Sequence, residues 1–283
     1  MAKLALVLNR TSGRFVRGDS DALAEELTAH PAIDTVWDFG EEDVEARIRD
    51  ADSQGFDGIA IAGGDGTIQA VACMAHRNGA QCPLLPLPLG TANMLVHRLY
   101  GHRSASEMLD TVDDTQIQPF RPGLAGDEIF LVAAALGFPS TVARAREMVR
   151  EADGVPPLPS LTRRIAAAAR HAFRPRIRYW LDGDDRDRKR ASGIYVDLDG
   201  EAEDMAYVAV HWRNIGDVAW AGLTLLTDIH DGERPGVSGR TERLEAQSRK
   251  PLALMLDGEP VFMPRNLTIS RSDTPIRFLN WTE

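Results

Sequence analysis

The first 120 residues alternate between short apolar stretches and amphipathic ones, and that order restricts the fold more than any other feature. Strands are expected at 3–9, 33–37, 57–62 and 84–87, and helices near 20–30, 41–53, 67–78 and 91–100. A βαβα succession with short connections predicts a parallel sheet with helices on both faces and ligands at the carboxyl ends of its strands. Three glycine-rich or polar loops fall at such ends: NRTSG after the first strand, GGDGT after the third and PLGTAN after the fourth. They are expected to face one cleft.

The GGDGT loop is a strand-to-helix corner. Gly58-Ile59-Ala60-Ile61-Ala62 has the unbroken apolar character of a buried parallel strand, and Ile68, Val71, Ala72 and Ala75 repeat at helical spacing. The first amides of a helix lack intrahelical partners and lie at its electropositive end, so such a corner can hold an anion by backbone alone. Gly63, Gly64 and Gly66 let a phosphate come close to the chain. Asp65 has two readings. A carboxylate beside a phosphate calls for a metal, a water or a ligand hydroxyl between them, and it also serves as an ordinary helix N-cap.

Beyond residue 120 the pattern becomes β-rich, at 127–136, 174–181, 191–198, 205–213, 222–227, 251–256 and 259–263, with helical patterns near 139–150 and 161–172. Strands joined by Gly/Asp turns predict a mainly antiparallel β-sandwich or barrel. The expected organisation is therefore an α/β domain over 1–122 and a β-rich domain over 123–283, whose last strand has the option of returning to the first domain. With 283 residues the chain has room for both.

The net charge of −10 excludes a general nucleic-acid binder. No apolar run approaches the length of a bilayer span, and MAKLALVLNR reads as a first strand rather than a leader, so a cytoplasmic location is expected. Cys73 and Cys82 have no metal-site spacing and read as reduced packing residues. None of the seven histidines shows ligand spacing.

The ordered set NRTSGR, AGGDGTIQAV, LPLGTANMLVHRLYG and MLDGEPV resembles the diacylglycerol kinase catalytic family, which includes sphingosine kinases and bacterial lipid kinases. The resemblance implies an α/β nucleotide domain, a β-sandwich and a site between them. It also implies that Gly63, Gly64, Asp65, Gly66 and Thr67 bind the phosphates and magnesium of ATP with help from Asn9, Ser12 and Gly13, and that Gly90, Thr91 and Asn93 line the nucleotide pocket. Asp257 and Glu259 match the family's Asp-Gly-Glu motif, whose first acid is the expected base for the lipid hydroxyl. Asp257-Gly258 between apolar segments is equally a hairpin signal. Asp228 and Asp231 resemble an element that holds a structural magnesium in some bacterial members, and two solvated turn carboxylates would look the same.

The chain departs from the family at Arg10, where proline is usual, and at Met94, where an aspartate of the magnesium network is common. The expected activity is transfer of the ATP γ-phosphate to a lipid hydroxyl such as that of diacylglycerol at a membrane surface. The alternatives are a weak or inactive nucleotide- or lipid-binding regulator and a kinase of a soluble substrate related to NAD kinase. The basic stretch 156–178, with six arginines and no acid, is either a membrane-docking helix or a packed surface helix. Oligomeric state is open, a homodimer included.

Overall fold

The computed structural model describes residues 2–11, 20–40, 43–137, 177–199, 203–210, 236–249, 251–263 and 265–281. It divides the chain into two compact units, one formed by 1–122 with 272–283 and the other by 123–271.

In the first unit, β1 (Leu4–Leu8), β2 (Ile33–Asp38), β3 (Gly58–Ala62), β4 (Leu84–Pro86), β5 (Thr115–Phe120) and β18 (Ile276–Trp281) form one sheet in the order β2-β1-β3-β4-β18-β5. All pairs are parallel except β18 with β5. Every residue of β1 and β3 is buried, as five-residue apolar strands covered on both faces should be. At about 1.5–3 kcal/mol for each large aliphatic side chain, these two strands supply much of the unit's apolar stabilisation. Because β2 and β3 lie on opposite sides of β1, the chain reverses its winding between β1 and β3. That switch point is where a doubly wound sheet opens a crevice at its carboxyl edge.

Helix α1 (Ser20–Thr28) precedes β2, and α2 (Val44–Asp50) starts at Asp43, whose carboxylate accepts from the Ala46 amide. Helix α3 (Asp65–Asn78) buries Thr67, Ile68, Val71, Ala72 and Ala75 on one stripe and stops at Gly79, whose φ of 61° is the left-handed C-terminal signature. Helix α4 (Met94–Tyr100) follows β4, and α5 (Ala105–Asp110) is capped by the Ser104 hydroxyl, which accepts from the Glu107 amide. β18 brings the end of the chain into this sheet. Trp281 donates its indole N–H to the Thr111 carbonyl at 3.0 Å and meets Tyr100 edge-on.

The second unit holds two antiparallel sheets. One runs β10 (Lys189–Ala191), β9 (Ile177–Leu181), β14 (Arg243–Ser248), β17 (Asn266–Arg271), β6 (Gly123–Ala125), β7 (Glu128–Phe130). The other runs β13 (Val237–Thr241), β12 (Met205–Val210), β11 (Gly193–Asp197), β8 (Ala133–Leu136), β15 (Leu252–Leu256), β16 (Glu259–Met263). Their inner faces meet where the Tyr179 and Tyr207 rings lie 6.3 Å apart. The fold class is the expected one, a parallel α/β sheet followed by antiparallel sheets.

Several boundaries differ from the expectations. The stretch 127–136 is two strands in different sheets, because the chain crosses between them at Leu131-Val132. α3 begins at Asp65 rather than residue 67, so the last three residues of GGDGT are its first turn, and Gly64, not Asp65, is the N-cap. α4 begins at Met94 rather than residue 91. The segment 222–227 and the helical patterns at 139–150 and 161–172 lie outside the described residues. So does the basic stretch 156–178 apart from Ile177 and Arg178. Cys82 is buried, and burial first, then Asp52 and Asp57, pushes its thiol up to about 12, in line with a packing role.

Candidate active site

The three loops at the carboxyl edge of the first unit are tied to one helical turn. Asn9, directly after β1, is buried and donates from Nδ2 to Thr67 Oγ1 at 2.8 Å. Its Oδ1 accepts from the amide and hydroxyl of Thr11, which folds the first loop back on itself, and its own amide extends the ladder to Ala62. The loop after β1 is thereby joined to the helix after β3, across the switch point.

Asp65 makes the matching connection on the other side. Its Oδ2 accepts from the Asn93 amide at 3.1 Å and its Oδ1 from the Met94 amide at 2.9 Å. Asn93 has a left-handed backbone, φ 50° and ψ 38°, and is held there by accepting the Gly90 amide on its Oδ1 at 2.6 Å. Gly90 is required sterically. A Cβ there would lie 2.8 Å from Asn93 Oδ1 and 2.9 Å from Asp65 Oδ2. Thr91 is exposed beside them.

The spacing follows from helix geometry. Residues two apart point about 200° apart around the axis, so Asp65 and Thr67 reach in opposite directions and Gly66 lies between them. Gly63 is fixed by packing, since a Cβ would fall 2.6 Å from Thr67 Cβ, whereas a Cβ on Gly66 would meet nothing within 4 Å. The amides of Asp65 and Gly66 have no acceptor among the described residues, while that of Thr67 turns back to the Gly64 carbonyl. Two open N–H groups, a bare glycine and the positive end of a 14-residue helix form a cradle that suits a phosphate.

The fit to a protein-held cation is poorer. Among the described residues no group of three or more His, Cys, Asp or Glu side chains is placed to share a metal, and both Asp65 oxygens are engaged by amides. Ser12, Gly13, Asp228 and Asp231 lie outside the described residues.

In the second unit, Asp257 and Gly258 form the two-residue turn between β15 and β16, with φ 49° and 93°, both positive as a type I′ hairpin demands. The Asp257 carboxylate accepts three successive amides, Leu131 at 2.6 Å on Oδ2 and Val132 and Ala133 at 2.7 and 2.9 Å on Oδ1. These are the residues at which the chain passes from β7 to β8 and leaves its ladder. Glu259 stands exposed at the start of β16.

A related carboxylate clamp lies in LDGDDRDRKR, a stretch whose charge and Asp-Gly pair mark a hairpin end but not the contacts that its first acid makes. Asp182-Gly183, at φ 50° and 77°, opens the 182–188 connection from β9 to β10, and Asp182 Oδ1 accepts from Thr241 Oγ1 and from the Glu242 and Arg243 amides. That is the corner at which the chain passes from β13 back to β14.

Comparison with known proteins agrees with this geometry. Residues 3–125 match the diacylglycerol kinase catalytic domain family. Probable lipid kinase YegS-like proteins are 34% identical over 113 residues in Pseudomonas putida and 30% identical over 141 residues in Pseudomonas aeruginosa. The matched regions cover 39% and 50% of this chain and 36% and 46% of those relatives, so less than half of each relative's length is spanned. Among solved structures, a diacylglycerol kinase from Bacillus anthracis superposes with a TM-score of 0.65 at 14% identity, over 98% of this chain and 96% of that one. An NAD kinase from Archaeoglobus fulgidus in complex with ATP gives 0.52 at 16% identity, over 97% and 92%. At such identities the structural likenesses speak for the fold alone. The family match spans residues 3–125, the part of the chain in which the tied loops and the phosphate cradle lie.

Proposed function

We propose that this protein is an ATP-dependent lipid kinase that transfers the γ-phosphate to a lipid hydroxyl, diacylglycerol being the first candidate. The observation that carries this reading is the cradle at Asp65-Gly66, with open amides between two side chains that hold the neighbouring loops in place. Phosphoryl transfer asks a protein mainly to position the phosphate and to offset its charge, and preformed backbone donors do both. In this reading Asn9, Ser12, Gly13, Gly63, Gly64, Asp65, Gly66 and Thr67 serve the phosphates, and Gly90, Thr91 and Asn93 shape the rest of the nucleotide pocket. Magnesium accompanies the nucleotide as counter-ion to its phosphates.

The lipid oxygen forms a bond to the γ-phosphorus as the bond to the β,γ-bridging oxygen breaks, leaving ADP, and the hydroxyl proton passes to a carboxylate. We draw that carboxylate from the Asp257 and Glu259 pair and favour Glu259. Asp257 is occupied by three amides, while Glu259 meets no donor among the described residues. A lipid substrate requires the protein to work at a membrane surface, and among the described residues no helix is long and apolar enough to cross one.

The test is transfer of labelled phosphate from ATP to vesicles containing diacylglycerol, sphingoid bases or glycerophospholipids. The native chain should label one lipid class, and Glu259→Gln should lower kcat on the order of 100-fold while ATP still binds. ATP binding without transfer to any lipid would replace this reading with a regulatory module. Label appearing on NAD would replace it with a soluble substrate.

A further inference from the structure

We infer that Asp65 acts as a positioning residue, locking the Gly90–Met94 loop onto the phosphate corner, and does not lend its carboxylate to a cation; this rests on the reading that nucleotide phosphates bind at that corner. Both of its oxygens are used, one on the Asn93 amide and one on the Met94 amide, at 3.1 and 2.9 Å. Those amides open a helix of seven residues and have no intrahelical acceptor, so a charged oxygen pair is their natural cap.

The space around the carboxylate is closed on the loop side. Gly90 comes so near that a Cβ there would lie 2.9 Å from Oδ2 and 3.2 Å from the Asp65 amide nitrogen. A magnesium ion needs six oxygens at about 2.0–2.1 Å in octahedral array, and among the described residues no group of three or more His, Cys, Asp or Glu side chains is placed to share one with Asp65. The loop in turn depends on the tie. Asn93 sits at φ 50°, a left-handed conformation that asparagine adopts more readily than most L-residues because its side chain can bond nearby backbone. Its constraints are the amide it gives to Asp65 and the Gly90 amide it receives. Asp65 and Thr67 thus hold the second and first loops from opposite sides of one turn, which places the open Gly66 amide between two fixed walls. Ligand binding at Gly66 is thereby sensitive to a residue that need not touch the metal.

The experiment compares the native chain with Asp65→Asn and with Gly90→Ala, which presses on the tie from the loop side. Three quantities are read: amide hydrogen exchange at Asn93 and Met94 without nucleotide or metal, ATP affinity in EDTA, and KM and kcat across a magnesium titration. Both variants should exchange those two amides at least about 10-fold faster and bind ATP in EDTA about 10-fold more weakly. They should raise KM for ATP with little change in kcat or in the magnesium concentration for half-maximal rate. Unchanged exchange and metal-free affinity in Asp65→Asn, with a several-fold rise in the magnesium requirement, would overturn the inference in favour of a metal ligand. If the native chain binds no ATP, the nucleotide reading itself fails and the positioning role with it. The exchange arm then reports only whether the tie belongs to the fold.

Discussion

At Asp65-Gly66 the dipeptide opens a helix, whereas at Asp257-Gly258 it is a whole two-residue hairpin turn and at Asp182-Gly183 the start of a longer one, with both φ angles positive in each. In all three places the carboxylate takes N–H groups from a segment that is entering a helix or crossing between sheets, where the backbone offers them no acceptor. What differs is what remains unused. The hairpin carboxylates close off the sheet-crossing corners at Leu131–Ala133 and Thr241–Arg243, whereas the helical turn keeps the Asp65 and Gly66 amides open beside a bare glycine. Binding capacity at the first site therefore belongs to the backbone, and the acid beside it is its support. An Asp-Gly pair alone does not distinguish a binding corner from a sheet-crossing clamp.

The contrast predicts a ladder of effects. Asp257→Ala should be the most damaging to the second unit. It leaves three largely buried amides without a charged acceptor and puts alanine at a positive φ, costing about 3 kcal/mol as read by the urea midpoint. A near-neutral result would mean that Asp257 is not a clamp and would return it to the role of proton acceptor. Gly63→Ala comes next, at about 2 kcal/mol, because its methyl must displace the buried Thr67 side chain that receives the Asn9 bond. Asp182→Ala should cost about 1 kcal/mol, since its amide partners Glu242 and Arg243 are exposed and the one buried partner, the Thr241 hydroxyl, also reaches the Arg243 carbonyl. If it equals Asp257→Ala, the two corners are energetically the same device.

The smallest effect concerns His76, near the end of α3, whose ring contacts Ser272 Oγ at 2.8 Å. Burial lowers its pKa below the ordinary imidazole value, so the folded state binds the proton less readily than the unfolded chain. The associated stability is present above about pH 6.5 and is lost as pH falls toward the folded pKa. Replacing His76 with Gln should flatten that part of a Tm-against-pH curve.

The sequence made the first unit legible because its signals are local. β1 and β3 are unbroken apolar runs, and α3 shows its buried stripe from Ile68 to Ala75. The edges of the second unit are quieter. β13 reads Val-Ser-Gly-Arg-Thr, exposed at four of five positions, and carries no apolar period to detect. The merging of β7 and β8 into one expected strand has a non-local cause, since the acid that organises their junction lies 124 to 126 residues further on. The same holds at the candidate site. The glycines announce a phosphate corner, but the partners of Asp65 lie 28 and 29 residues away, so the sequence suggests an N-cap or a carboxylate facing a metal, a water or a ligand hydroxyl, and not a tie to the next loop.

The most direct test is Gly66→Ala, with ATP affinity from calorimetry and thermal stability measured on the same preparation. A methyl at this position meets nothing within 4 Å beyond its own turn of helix and takes up space that the bare glycine leaves free beside the cradle, and alanine favours a helical turn over glycine by about 1 kcal/mol. The account predicts that Tm holds or rises while ATP affinity drops at least about 10-fold. Native-like ATP affinity in a protein of unchanged or higher Tm would contradict it, because the nucleotide would then be held somewhere other than this turn.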